Sequence, residues 1–65
     1  MVLSIERLRI AAARKQMTVA ELLKLAHVST LTWQRIKRNS EVNTKTAGKL
    51  AAVLGVDVTE LLANG

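Results

Sequence analysis

Residues 30–38, TLTWQRIKR, carry the side chains whose chemistry is easiest to interpret. Trp33 and Ile36 are three positions apart, so they share one face of a helix. The rest of that helix surface is mainly hydrogen-bonding or basic, with Gln34 and Arg35 near its centre. The fork of an arginine can pair with O6 and N7 of guanine in the major groove. A helix used only for packing has little need of such a surface, so the pattern favours a helix that enters a DNA groove.

The preceding residues predict the elements that would position this helix. Thr18 is a good N-cap and Glu21 follows three positions later, which is the spacing of a capping box. That helix must end near His27, because Ser29 starts a new cap. Residues 18–38 therefore predict two short helices joined by a tight turn. The apolar face of the first of them is Leu22, Leu23 and Ala26.

This stretch resembles the helix-turn-helix of the phage repressor and Cro family, also called the XRE-type DNA-binding domain. The family pattern runs roughly L-S-Q-x-E-L-A-x-x-x-G-V-S-x-x-x-I-x-x-I-E-x-G, and the resemblance continues to Leu62. It implies an all-α, compact, lambda-repressor-like domain of five helices over residues 1–65, with the helix-turn-helix at helices 2 and 3, about residues 18–38. The corresponding positions are Met17, Thr18, Val19, Ala20, Glu21, Leu22 and Leu23, then His27, Val28 and Ser29, then Trp33, Ile36 and Asn39.

Four positions depart from the family pattern. His27 stands where glycine is common, and histidine tolerates the positive φ expected there better than most residues do. Asn39 replaces the glycine after helix 3, as the usual second choice for a left-handed residue at a helix end. Gln16 stands at another usual glycine, which predicts a less tight turn. Val19 replaces a glutamine that often holds a phosphate, so only its backbone N–H would remain for that contact.

The other predicted helices span about residues 4–15, 44–54 and 58–63. Gly48 is unusual inside a helix and costs about 1 kcal/mol relative to alanine. We expect close helix packing around Trp33 to be the reason, and the alternative is that Gly48 simply weakens the helix. The predicted inner faces are Ile5, Leu8, Ala11 and Ala12, then Ala47, Leu50, Ala51 and Leu54. The predicted N-caps are Ser4, Asn43 and Asp57, and Glu60 stands at capping-box spacing from Asp57. Gly55 is predicted to end helix 4, and Asn64 and Gly65 are predicted to fray.

The composition favours one basic helical domain. The chain has 65 residues, a net charge of +5, no proline and no cysteine. All ten basic residues lie between Arg7 and Lys49, whereas Asp57 and Glu60 are the only charges after Leu54. Such a distribution suits a polyanion partner, although charge also serves solubility. We expect a cytoplasmic protein, because there is no signal peptide and no apolar run of membrane-spanning length.

The same residues argue against catalysis. There is no paired carboxylate cleft, no nucleophile–base pair and no glycine-rich phosphate loop. His27 has no partner residue in sight, so we expect it to be structural or exposed. We predict no enzyme, no metal and no cofactor. A domain of this size also leaves little room for a small-molecule ligand.

The resemblance implies a set of DNA contacts on and beside helix 3. Arg35 and Arg38 can alternatively be interpreted as ordinary solvated charges. Leu31 can alternatively be interpreted as a residue that contacts protein. For Trp33 we favour the core over base stacking. The implied base contacts are Thr30, Leu31, Thr32, Gln34 and Arg35. The implied phosphate contacts are Thr18, Val19, Lys37, Arg38, Asn43, Thr44 and Lys45.

Two functions remain open from the sequence. The first is a sequence-specific regulator on double-stranded DNA, of the repressor type found in phages and mobile elements, with residues 30–38 in the major groove. The second is a protein-interaction module, antitoxin-like or adaptor, that retains the fold. A regulator of this kind often binds as a two-fold dimer, which here must form through the domain itself. The candidate dimer residues are Val56, Val58, Leu61 and Leu62, and most of them are expected to close the core.

Overall fold

The fold is all-helical, and the computed structural model describes residues 1–63. Asn64 and Gly65, for which fraying is predicted, lie outside the described residues. Four α-helices precede one short 3-10 helix. Their bounds are α1 Ile5–Arg14, α2 Val19–Ala26, α3 Thr30–Asn39, α4 Thr44–Leu54 and the 3-10 helix Val58–Leu61.

Side-chain caps set the start of each helix, as the sequence predicts. The Ser4 hydroxyl accepts from the N–H of Arg7 at 3.1 Å, and Asn43 Oδ1 accepts from the N–H of Thr46 at 2.7 Å. Asp57 and Glu60 form a capping box at the 3-10 helix. Each cap satisfies a donor that has no acceptor within its own helix. The capping predictions at these positions are therefore confirmed.

The prediction of a fifth α-helix over residues 58–63 is wrong. The last element is a 3-10 helix that ends at Leu61, and Leu62 has extended φ and ψ of −82° and 147°. Leu62 forms an antiparallel bridge with Leu3, and the N–H of Ala63 donates to the carbonyl of Val2 at 3.0 Å. A helix continued to residue 63 could not make these bonds, because its N–H groups would point back along its own axis.

The core lies between α1, α2 and α4, and α2 and α4 pack most closely. Leu3 and Val42 are buried within it although they lie outside every helix, and the sequence patterns do not predict this. Leu61 is fully buried and closes the core, so its prediction as a dimer contact is wrong. The buried set is Leu3, Leu8, Ala11, Ala12, Leu22, Leu23, Ala26, Trp33, Ile36, Val42, Ala47, Leu50, Ala51, Leu54 and Leu61.

The residues before α1 run between two distant parts of the chain. On one side, the N–H of Leu3 donates to the carbonyl of Ser40 at 2.7 Å, and the N–H of Val42 donates to the carbonyl of Met1 at 2.9 Å. On the other side, the N–H of Ser4 donates to the carbonyl of Leu61 at 2.8 Å. These bonds hold the segment after α3 and the 3-10 helix against the start of the chain.

Left-handed residues follow all four α-helices of the described chain, and one of them is not the predicted residue. Gln16 has φ of 55° and takes the conformation of the usual glycine, with the N–H of Met17 donating to the carbonyl of Ala12 at 3.1 Å, so the prediction of a less tight turn after α1 is wrong. His27 and Gly55 have φ of 57° and 69°, as expected. Asn39 remains helical, and Ser40 takes the left-handed conformation with φ of 61°. The reason is local: Oδ1 of Asn39 accepts from the N–H of Glu41, so the asparagine side chain shapes the turn instead of its backbone.

Gly48 is not at a close helix contact, so that prediction is also wrong. A Cβ added to Gly48 would meet no atom within 4 Å, apart from the backbone of its own helix. The residue is exposed on α4, and no packing constraint explains its presence.

Candidate nucleic-acid interface

The turn between α2 and α3 is fixed by backbone bonds around His27. The N–H of His27 donates to the carbonyls of Leu23 and Lys24, and the N–H of Val28 donates to the carbonyl of Leu23 at 2.9 Å. This is the bonding of a Schellman cap, which requires a left-handed residue at its centre. Val28 packs against the core. The relative orientation of α2 and α3 therefore depends on a residue that is not glycine.

Ser29 begins α3 with two hydrogen bonds to one residue. Its Oγ accepts from the N–H of Thr32 at 3.1 Å and donates to Thr32 Oγ1 at 2.9 Å. Thr32 is half-buried, whereas Thr30 and Leu31 before it are exposed. The Thr32 side chain therefore contributes to the cap, and its hydroxyl keeps one donor and one acceptor position for a ligand.

Two buried side chains pack helix α3 onto the domain. Trp33 and Ile36 are its buried residues, and its backbone lies farther from the other helices than α2 and α4 lie from each other. The large indole of Trp33 fills the space between α3 and the other helices, which a shorter side chain would leave empty. Burial supports the core reading of Trp33 over base stacking. The exposed residues of α3 are Thr30, Leu31, Gln34, Arg35, Lys37, Arg38 and Asn39.

The predicted base contacts mostly share one helix face. Positions 30, 31, 34 and 35 are one turn apart in pairs, so their side chains project together. Leu31 is 60 % exposed, which is unusual for an aliphatic side chain of this size. Gln34 and Arg35 beside it are exposed as well. Thr32 lies off this face, because it turns toward the cap of α3.

The start of α2 offers backbone donors for an anion. Thr18 and Glu21 form the predicted capping box, with bonds of 2.9 and 3.1 Å. That box satisfies the N–H groups of Thr18 and Glu21, so at the start of α2 the N–H groups of Val19 and Ala20 are left without an acceptor among the described residues. The Val19 side chain is half-buried against the core. The N–H of Ala20 is a candidate anion donor that side-chain patterns do not reveal.

The start of α4 has the same arrangement with added charge. Asn43 caps the helix, and the N–H groups of Thr44 and Lys45 lie in the first turn, where a helix provides no acceptor. Thr44 and Lys45 are exposed, and so is Lys49 one turn later. Sequence reasoning did not select Lys49, although its spacing of four from Lys45 places both ammonium groups on one face.

The basic side chains of this surface are not neutralised by neighbours. Within residues 1–63 the one ion pair joins the Met1 ammonium to Glu41 Oε2 at 3.6 Å. Arg35, Lys37 and Arg38 therefore keep their charge for an external anion. Glu21, the nearest acidic residue along the helix-turn-helix, is engaged in its capping box.

Other kinds of site find little support in the described residues. No three His, Cys, Asp or Glu side chains in residues 1–63 are grouped so as to hold a metal ion. In the same part of the chain, no helix is both long and apolar enough to cross a membrane. Hydrogen bonds from the N–H and hydroxyl of Thr59 lower the pKa of Asp57, which lies outside the helix-turn-helix.

A comparison with known protein families identifies the family of this domain. A family model described as a Cro/C1-type helix-turn-helix DNA-binding domain matches residues 7–63. The chain belongs to the Cro/C1-type helix-turn-helix family. Comparison with curated proteins and with solved structures gave no match. The predicted resemblance is thus confirmed.

In this Cro/C1-type domain, α2–turn–α3 is the helix-turn-helix and α3 is its second helix. In helix-turn-helix proteins the second helix enters the major groove and the first crosses the DNA backbone. The domain therefore has the helix-turn-helix of a DNA-binding family, and the individual base and phosphate contacts remain predictions.

Proposed function

We propose that the chain is a sequence-specific regulator of transcription on double-stranded DNA, of the repressor type found in phages and mobile elements. The observation that supports it best is that α3 has one buried face and one exposed polar face. Trp33 and Ile36 are buried, whereas Gln34 and Arg35 next to them are exposed. Family membership supports DNA binding, and the exposed polar face supports reading of sequence.

Arg35 is the residue on which sequence reading would depend most. It lies on the exposed face of α3 and, within the described residues, no carboxylate pairs with it. Its guanidinium can therefore form a bidentate contact with guanine, worth about 1–3 kcal/mol of discrimination. Leu31 would contact a thymine methyl, and Gln34 would pair with adenine. Thr30 would serve a base or a phosphate.

The phosphate contacts would fix the register of α3. We place them at the starts of α2 and α4, at Thr18, Val19, Asn43, Thr44 and Lys45, where backbone N–H groups and helix dipoles favour anions. Lys37 and Arg38 would reach the flanking backbone from the end of α3. Contacts of this kind add affinity and salt dependence without reading sequence.

Two copies would bind a two-fold operator with half-sites about 34 Å apart. Val56, Val58 and Leu62 are half-buried and remain the candidate dimer residues. Since Val56 and Val58 pack against the domain's own core, we infer that the dimer is weak in solution and is stabilised by the DNA.

The test is a selection from random double-stranded DNA with the wild type and Arg35→Ala. Arg9→Ala, which removes the same charge from an exposed position of α1, is the matched control. We expect an enriched two-fold site for the wild type and the control, and loss of preference at one position of each half-site for Arg35→Ala. Equal, weak and sequence-blind binding by all three proteins would refute the regulator.

A protein-interaction module is the second candidate. The observation in its favour is that Leu25 and Leu31 are 58 % and 60 % exposed, on adjacent helices of the helix-turn-helix. Enrichment of a DNA site that depends on Leu31 would assign this side chain to DNA. Binding of a protein partner that Leu31→Ser abolishes, together with no enriched DNA site, would support the interaction module instead.

A further inference from the structure

An open groove of about 280 Å³ lies between α1 and the segment that follows α4. No residue of α2 or α3 lines it, so it is distinct from the helix-turn-helix surface. Its residues come from two parts of the chain, which the tertiary fold brings together. They are Arg7, Ile10, Ala11 and Arg14 of α1, with Val56 and Glu60 from the C-terminal part.

Two arginines of the groove have no carboxylate partner. Within residues 1–63, neither Arg7 nor Arg14 forms an ion pair. Glu60 lines the same groove, but its Oε2 accepts from the N–H of Asp57 at 3.3 Å in the capping box. The Arg7 guanidinium is held in place, since its Nη1 donates to the carbonyl of Leu62 at 2.8 Å. The groove therefore presents two guanidinium groups, one of them already oriented, and one carboxylate, which leaves it with a net positive charge.

An exposed apolar residue lies between these cations. Ile10 is 47 % exposed, and Arg7, Ile10 and Arg14 have the spacing i, i+3 and i+7, which puts them on one face of α1. Ala11 and Val56 extend the apolar surface inside the groove. A basic–apolar–basic stripe of this kind is complementary in charge and in polarity to an acidic amphipathic helix.

We propose that this groove binds an acidic, amphipathic segment of a protein partner. One apolar side chain of the segment packs on Ile10 and Val56, and flanking carboxylates pair with Arg7 and Arg14. A nucleic-acid backbone suits the groove less well, because the apolar surface of Ile10 and Ala11 provides no donor to a phosphate. The site is separate from α2 and α3, so DNA on the helix-turn-helix does not cover it, although it shares Val56 with the candidate dimer residues.

The test is a titration of ¹⁵N-labelled protein followed by NMR, with a designed alanine-rich helical peptide as the probe. The peptide carries Glu, Leu and Glu at positions i, i+3 and i+7, and a matched peptide has Ser in place of Leu. Inorganic polyphosphate serves as a polyanion without an apolar group. We expect shift changes at Arg7, Ile10 and Arg14 with the Leu peptide, and much smaller ones with the other two probes.

Variants separate the groove from general charge attraction. Arg14→Gln and Ile10→Ser alter exposed groove residues, and Arg9→Gln removes an exposed charge from the same helix outside the groove. We expect each groove variant to weaken peptide binding about fivefold or more, and Arg9→Gln to change it by less than about twofold. Dispersed spectra of the three variants, similar to that of the wild type, show that all are folded.

Three results would overturn the inference. The first is equal weakening by Arg9→Gln and Arg14→Gln, which means unspecific attraction. The second is equal binding of polyphosphate at the groove, which means a polyanion surface. The third is a concentration-dependent shift of Ile10 and Glu60 without any peptide, which means that a second copy of the chain occupies the groove.

Discussion

The backbone N–H of Leu3 donates to the carbonyl of Ser40 at 2.7 Å, and Ser40 is the left-handed residue that ends α3. The first residues of the chain thus hold the end of the proposed recognition helix. The Leu3 side chain is 1 % exposed, so the same residue also fills the core. This relationship links a segment without helical structure to the position of α3.

Shortening Leu3 should therefore destabilise the domain more than its location at the start of the chain suggests. We expect Leu3→Ala to lower the free energy of unfolding by about 2–4 kcal/mol, because it leaves a cavity in a small core. Urea unfolding followed by circular dichroism measures it. Val2→Ala is the control, since Val2 is 51 % exposed, and it should cost less than about 0.5 kcal/mol. Equal effects of the two variants would show that the terminal segment is not part of the core.

Gly48 should be replaceable with a gain in stability. An added Cβ meets no atom within 4 Å outside its own helix backbone, and alanine is favoured over glycine in a helix by about 1 kcal/mol. We expect Gly48→Ala to raise the unfolding free energy by about that amount. Gly55→Ala is the opposite case, because φ there is 69°, and it should lower stability by about 1 kcal/mol. A destabilised Gly48→Ala would mean that α4 is more closely packed than the structure shows.

The stability of His27 variants should depend on backbone strain at this position and not on loss of the imidazole. His27 has φ of 57°, a conformation that costs an L-residue about 1–2 kcal/mol and that glycine adopts readily. Glycine loses more backbone entropy on folding, which offsets part of this gain. His27→Gly should therefore raise the melting temperature slightly. His27→Val should lower it, because a β-branched residue tolerates this conformation poorly. Thermal unfolding of both variants measures the difference. Stabilisation by valine, or loss of DNA binding by the glycine variant, would contradict a purely structural role.

Lys45 should contribute to DNA affinity without contributing to sequence preference. Lys45→Ala is expected to weaken binding to every sequence alike and to reduce the slope of log K against log salt by about 1. Fluorescence anisotropy at several salt concentrations measures that slope. The control is Lys15→Ala, because the Lys15 ammonium lies near Gly55 at the opposite end of α4. A helix of 11 residues is about 16 Å long, beyond the Debye length of about 10 Å at 0.1 M salt. An equal change of slope in both variants would place the DNA elsewhere.

Local sequence patterns predicted most of the helix-turn-helix. Thr18, Glu21 and Ser29 lie within a few residues of the N–H groups that they cap, so their spacing alone determines where α2 and α3 begin. The periodicity of Trp33 and Ile36 likewise indicates which face of α3 is buried. For the same reason, the exposed residues Gln34 and Arg35 were predicted correctly as outward-facing. Their contacts with DNA remain predictions.

The tertiary structure decided what depends on residues far apart in the sequence. The burial of Leu3 and Val42, and the end of the last helix at Leu61, result from bonds among residues 1–4, 40–42 and 61–63. No periodicity marks such isolated bridges, because each involves only one or two residues. The groove beside Ile10 also forms only when α1 meets Val56 and Glu60. Caps and helix faces are local and are therefore encoded in short stretches, whereas bridges and grooves depend on chain packing that short stretches do not specify.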